Sequence, residues 1–318
     1  MLWRGAVQVV HRGLAPDRSV TPHPPMQQQL DIFADSRDVA LRNDLVQALL
    51  DADVSGALRA AAALQAAFPG DAVLAPATRL IEHLQVAQGP GAAQRLQAAA
   101  VADARSRLDG PLTAAARAVL GDESAPWLAG RWRALAQQAA GIAWHPAHAD
   151  AHAAGLYLRA QAWTLAADAV AGIASWRRIP QPLLWMAEAR WRGAGADAAW
   201  PLLAEALWLA PARAADLVQA LADPTLSRLA ARFEECFEPA KGADWAWLPA
   251  FALVERPLLA GPLATAEPPA DEAPAEAFKT VAALLRLERQ GRHHEIVAQR
   301  ARLKALSGPL MKAYMATR

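Results

Sequence analysis

From Asp35 to residue 255 the sequence runs as helix-compatible stretches separated by short breaks, and no other feature narrows the fold as far. The run SRDVALRNDLVQALL opens on Asp35 and Ser36, whose side-chain oxygens suit the free N–H groups of a first helical turn. Leu41, Leu45 and Leu49 then recur at the step of one helix face. Asp51–Asp53 ends that run, and SGALRAAAALQAAFPGD follows until Pro69-Gly70 stops it. Further helical stretches are expected at residues 71–87, 91–108, 111–120 and 125–141. Two helices joined by a tight turn, repeated, are the sequence sign of a helical hairpin array.

Composition agrees with this reading. Hydrophobic residues make up 54 % and charged residues 20 %, the balance of a globular chain rather than a disordered one. Much of the apolar share is alanine, the best helix former, while β-branched residues and tyrosine are scarce, so no large sheet is expected. A net charge of +1 gives no bulk pull toward nucleic acid or an anionic membrane. The single cysteine, Cys236, cannot close an internal disulfide, and no Cys/His zinc spacing occurs. Both facts fit a reducing cytoplasm, the expected location. Within FEECFEP, Cys236 reads as a small buried hydrophobe. No apolar stretch is long enough to span a membrane. The first 25 residues carry basic side chains and a short apolar run, and TPHPP then breaks any helix. Met26 reads as the true start or the start of the useful part, with residues 1–34 a flexible leader.

The middle of the chain is more specific. Pro146 and Pro180 stand 34 residues apart, and Pro211 follows 31 residues later. HPAHADAHAAGLYLRAQAW has a proline, an alanine-rich turn and then a helix; in ADAAWPLLAEALWLAP, Ala199, Leu203, Ala206 and Pro211 fall in a small–large–small–proline order. On these residues the chain resembles the tetratricopeptide repeat, whose units of about 34 residues end in a proline after the second helix. Small residues there let the two helices approach closely, and the large one plugs the gap. Gly155-Leu156 stands in the reverse of the family's usual order, and the unit ending at Pro211 is short. The likeness covers residues 130–211, and 36–69 and 276–306 are compatible with degenerate units.

The resemblance implies an all-α fold, a right-handed α-solenoid of antiparallel helical hairpins over residues 35–255. In such arrays the first helix of each unit lines a concave groove that holds a peptide or a partner helix. The register set by Pro146 and Pro180 then puts Asp150, Tyr157, Gln161, Glu188 and Trp191 on that groove, with Arg190 replacing Trp191 if the register slips. The implied function is a non-enzymatic protein-binding scaffold or adaptor in a larger bacterial assembly. Residues 256–276, rich in proline, alanine and acid, read as a linker or long surface loop. Residues 277–318 read as a terminal helical hairpin broken at Gln290-Gly291, whose Arg and Lys side chains suit a solvated capping face. Eleven of the twelve tryptophans lie between Trp127 and Trp247 and are expected to fill the space that the alanines leave. Trp185 and Trp191, six positions apart, cannot share one helix face.

Two clusters call for a chemical reading. His145, His148 and His152, with Asp150, are the nearest approach to a metal constellation; His148 and His152 would share a face if helical. No H-E-x-x-H glutamate accompanies them, the adjacent His293-His294 with Glu295 point about 100° apart on a helix, and no metal or cofactor is expected. A metal-binding or enzymatic role for the three histidines is the weaker alternative, because no phosphate loop, nucleophile elbow or dinucleotide fingerprint occurs. The other cluster is Gln29-Leu30-Asp31-Ile32-Phe33, which resembles the Q-L-x-L-F peptide by which bacterial replication and repair proteins dock on the β sliding clamp. That resemblance implies that Leu30, Ile32 and Phe33 enter an apolar cleft while the Gln29 amide bonds at its rim. The competing reading folds the same apolar residues back over the end of the first hairpin.

Overall fold

The computed structural model describes residues 36–90, 94–237 and 244–318. Gln29, Leu30, Ile32 and Phe33 lie outside them. The described residues form sixteen α-helices and no strand, as the alanine-rich, β-branched-poor composition requires. The chain divides into two compact units at Leu74/Ala75.

In the first unit, α1 (Arg37–Leu50) and α2 (Val54–Ala67) pack as a hairpin. Ala52 takes a left-handed φ of 55°, which lets the chain reverse within Asp51–Asp53. Asp53 then caps α2 by accepting the Gly56 N–H at 2.9 Å. A Cβ on Gly56 would stand 2.3 Å from one Asp53 carboxylate oxygen, so a larger residue there would make that side chain turn aside. Leu45, Leu49, Ala57 and Leu64 are fully buried. Asp71 accepts from Arg42 Nε at 2.8 Å and from the Val73 N–H at 2.9 Å, fixing the stretch after Pro69-Gly70.

In the second unit, α3 (Leu74–Gln88) is followed by α4 (Ala98–Arg107), which starts later than the expected helix at 91; residues 94–97 are irregular. A single π-helical turn, Leu108–Leu112, carries α4 across Gly110-Pro111 into α5 (Thr113–Leu120), where a regular ladder would lack the proline N–H. Next come α6 (Ser124–Gln138), a 3-10 turn at Pro146–Ala151, α7 (Ala153–Arg159), α8 (Trp163–Ala171), α9 (Pro180–Ala194), α10 (Ala196–Leu209), α11 (Pro211–Leu221) and α12 (Pro224–Cys236). Pro180 and Pro211 each occupy a first helical turn, where the missing N–H costs nothing and φ is preset. From α5 to α13 (Leu248–Glu255), each helix packs on its neighbour in sequence, and α13 continues onto α14 (Ala273–Gln290), α15 (His293–Leu306) and α16 (Gly308–Ala316).

The core lies around α9 and α10. Six consecutive residues of α9, Pro182 to Ala187, are buried, because Leu183, Leu184 and Ala187 join one apolar cluster and Trp185, Met186 and Ala189 join another. A helix apolar on every side is one with neighbours on every side. On α10, Ala199, Leu203 and Ala206 are buried as the small–large–small spacing implies. Each fully buried leucine, such as Leu183, Leu203 or Leu207, contributes about 1.5–3 kcal/mol over an exposed one. Of the eleven clustered tryptophans, Trp127, Trp132, Trp185, Trp200 and Trp208 are buried and the rest half-buried. Cys236 is half-buried at the margin of the larger cluster.

Residues 256–272 are held against this core. Two 3-10 turns, Pro257–Ala260 and Pro262–Thr265, bury Leu259 and Leu263, and the second packs on α10. Pro274 stands in the first turn of α14, so residues 273–276 are helix. Gly291, at a left-handed φ of 69°, ends α14 where Gln290-Gly291 was expected to break the terminal pair.

Candidate functional site

The residues expected on a groove fall on three elements. Asp150 is exposed in the 3-10 turn before α7, and its carboxylate pairs with Arg105 at 2.6 Å. Arg105 also reaches Asp109 at 3.4 Å, and Asp109 pairs with Arg159, whose guanidinium lies 5.3 Å over Trp132. Tyr157 is half-buried on α7 beside the cluster of Trp185 and Met186. Gln161, expected on the helix, lies beyond its end. The helix stops at Arg159, Gln161 takes φ 54°, and the N–H of Ala162 returns to Tyr157 O at 2.9 Å while that of Gln161 bonds Leu158 O at 3.0 Å. This is a Schellman termination with glutamine in the left-handed place, which the polar side chain gave no sign of.

On α9, Glu188 accepts from Arg192 Nε at 3.1 Å, and Arg192 spans 5.6 Å over Trp163 and donates to Ala220 O at 2.9 Å. Trp191 is half-buried, edge-on to Trp200 at 5.7 Å. Arg190 is exposed and without an ion pair among the described residues. No hydrogen bond, ion pair or ring contact joins any two of these six residues; Tyr157 borders one apolar cluster and Trp191 the other.

The histidines do not share a helix face. His148 is non-helical at φ −127°, and His152 is the extended residue that caps α7. His145 Nδ1 accepts the Ala147 N–H and His152 Nδ1 the Ala154 N–H, both at 3.2 Å. Adjacent prolines and alanines leave these turns short of capping oxygens, and imidazole nitrogens fill the role. His152 is buried, stacked on Trp185 at 5.8 Å with Trp144 edge-on to both rings. Burial lowers its pKa, keeping the ring neutral. His293 and His294 begin α15, where Glu295 pairs with Arg292.

Two buried polar centres escaped the sequence reading. Glu205 on α10 is 6 % exposed and accepts a bidentate pair from Arg177, both bonds 2.6 Å, together with the Glu267 N–H at 2.9 Å. Arg177 also pairs with the Glu267 carboxylate at 3.0 Å. The signal was present: Glu205 is an acid inside the apolar run WPLLAEALWL, which demands a partner. The second is Tyr314, fully buried on α16, whose hydroxyl donates to Glu288 and accepts from Arg300 at 3.3 Å. Arg318 clamps the same Glu288 at 2.9 Å and 3.0 Å.

A third centre is basic. Arg131 on α6 folds back over Trp127, one turn earlier, with its guanidinium 5.1 Å from the ring. Its Nε is cut off from solvent and has no acceptor among the described residues. His83 on α3 leans on the same indole at 6.0 Å. Burial, then the charges of Arg131 and Arg107, lower the His83 pKa to about 4. An unmet buried donor of this kind costs about 1–3 kcal/mol.

No protein family, curated protein or solved structure matches the chain significantly.

Proposed function

We propose that the chain is a tetratricopeptide-like helical-repeat scaffold that binds a protein partner and catalyses no reaction. One observation carries the reading. The helices α7, α9 and α11 contact one another in succession, while α7 also packs on α8 and α9 on α10. Stacked hairpins have this pattern, in which first helices form one layer and second helices another. Close approach supports it: Gly155 on α7 admits the Trp185 ring, which a Cβ would meet at 3.1 Å, and Gly193 on α9 admits Trp163. On this reading the partner, a peptide or helix, lies across the first-helix layer. It meets Asp150, Tyr157, Glu188 and Trp191, with the uncompensated Arg190 at the edge. Tyrosine, tryptophan and arginine are the side chains that most often anchor protein interfaces.

The experiment is an affinity pull-down from the native host with the full chain and with Arg190→Glu and Tyr157→Ala variants, read by mass spectrometry. A partner retained by the parent and lost by both variants, at unchanged helicity, supports the reading. A partner set unaffected by either substitution sinks it. The motif Gln29-Leu30-Asp31-Ile32-Phe33 supports a second reading, docking on a sliding clamp, and a Leu30/Ile32/Phe33 alanine variant in the same pull-down tests it. Only that reading requires the clamp to disappear from the captured set.

A further inference from the structure

We propose that the cleft between α14 and the 3-10 turn Pro257–Ala260 is a docking site for an acidic segment of a protein partner, one carrying a single bulky apolar side chain flanked by carboxylates. The proposal is independent of the first-helix layer, because none of its residues lies on α7, α9 or α11.

The cleft encloses about 420 Å³ and is lined by Pro257 and Leu258 of the turn, by Leu285, Glu288 and Arg289 of α14, and by Arg318. That volume takes one large side chain and the backbone beside it. Leu258 is 93 % exposed, although its neighbour Leu259 is buried. The turn cannot roll over to hide it. Pro257 fixes the first φ, the Leu259 N–H bonds Arg256 O at 2.9 Å, and Leu259 and Leu263 root two successive turns in the core. The turn also packs on α13. Leu258 is therefore held out in water beside the buried Leu285, an apolar wall that is ordered before anything binds, so little freedom is lost when it is covered.

The polar wall is unbalanced in charge. Glu288 accepts from the Tyr314 hydroxyl and from Arg318 Nε at 2.9 Å and 3.0 Å, and Arg300 stands 3.9 Å away. The guanidiniums of Arg300 and Arg318 also lie 5.5 Å and 4.8 Å over the Tyr314 ring, so both are locked around one carboxylate. Arg289, the next residue, is exposed, spends its Nε on Leu285 O at 3.2 Å, and has no carboxylate partner among the described residues. Three guanidiniums thus stand against one carboxylate. The surroundings reinforce the excess: residues 277–318 hold nine Lys and Arg against two Glu, in a chain whose net charge is only +1. A partner's carboxylate meets the remaining N–H groups of Arg289 as a paired acceptor. Opposite charge steers and orients the segment, and its apolar side chain, covered by Leu258 and Leu285, is the buried anchor. A small free anion would leave Leu258 uncovered.

The test selects from a random dodecapeptide library on the immobilised full chain and measures the winning peptide by fluorescence anisotropy. The expected consensus is one aromatic residue or leucine flanked by aspartate or glutamate, with binding that weakens as salt is added. Leu258→Ser should lower the affinity about tenfold and Arg289→Gln about fivefold. Arg289→Glu should bind a version of the peptide with lysines in place of its acids more tightly than the parent does. Leu258 and Arg289 are both exposed, so these variants keep the parent's fold, and Arg190→Glu should bind the peptide as the parent does. No enriched peptide, a basic consensus, or equal binding by Leu258→Ser and the parent overturns the proposal. Capture by phosphatidylserine vesicles that is lost in Leu258→Ser, with no peptide selected, assigns the cleft to a membrane surface and overturns it as well.

Discussion

Replacing Glu205 by alanine should loosen residues 256–272 and destabilise the second unit by about 2–3 kcal/mol. Removing one member of a buried ion pair typically costs about 3–5 kcal/mol, because the other charge is left without a counterpart. Two features of this site reduce that figure. Arg177 is 35 % exposed, so part of its charge returns to water, and the Glu267 carboxylate still stands 3.0 Å away. What cannot be recovered is the Glu267 N–H, which loses its acceptor, and the volume of a side chain only 6 % exposed. Hydrogen–deuterium exchange is the sharper assay, since Ala264, Ala266 and Glu267 all donate backbone N–H groups within or from this segment. A local loss of 2 kcal/mol accelerates their exchange by about thirtyfold while α14 amides change far less. The double variant Glu205→Leu/Arg177→Leu removes both charges and keeps the volume, so urea unfolding should find it close to the parent. If the single variant unfolds like the parent, or the double variant is the less stable of the two, the ion pair does not anchor this segment and the argument is wrong.

The histidine beside Arg131 makes a prediction about acid. Because the folded pKa of His83 is about 4, below the unfolded 6.5, its contribution is fully present above pH 6.5 and is lost as pH falls from there toward 4. Half-burial and solvent screening leave about 1–2 kcal/mol in that window, so a His83→Gln variant should show a shallower acid limb in urea midpoints; His152, also lowered by burial, supplies a further share that survives the substitution. An unchanged limb would show that His83 titrates normally. Gly193→Ala places a Cβ 2.8 Å from Trp163 Cβ, an atom with no freedom to swing away, so α8 and α9 must separate. The better helix propensity of alanine offsets part of the strain, and a net loss of about 1 kcal/mol in thermal unfolding is expected; a gain would mean the helices are less closely packed than described.

The legible part of the fold was what the backbone decides locally. Alanine runs gave helices, Pro180 and Pro211 opened α9 and α11, and Gly291 closed α14, because each of those residues restricts φ or removes a donor wherever it stands. The facing of α9 was not legible. Over Pro182–Ala187 it is apolar on every side, so periodicity carries no direction there; only the six-residue step separated Trp185 from Trp191, which do border different clusters. Gln161 was misplaced because a left-handed helix end usually announces itself with glycine. The shared face expected of His148 and His152 fails for a related reason: four-residue spacing implies a shared face only inside a helix, and the chain around His148 is not helical.

The polar centres divide along the same line. Arg105 and Asp109 are four residues apart on one stretch of helix, where a sequence exposes the pair directly. Glu205 meets Arg177 28 residues away and the Glu267 N–H 62 residues away, distances over which no spacing rule operates. Yet an acid inside WPLLAEALWL already states that something must satisfy it, since an unpaired buried carboxylate is too costly to persist. Sequence therefore identifies the need and folding supplies the partner. The same logic applied to Arg131 gives the opposite result, a buried donor whose need is unmet within the described chain. The fold supplies Arg177 with its acid, whereas Arg131 rests on the Trp127 ring and bears the cost of the unmet donor.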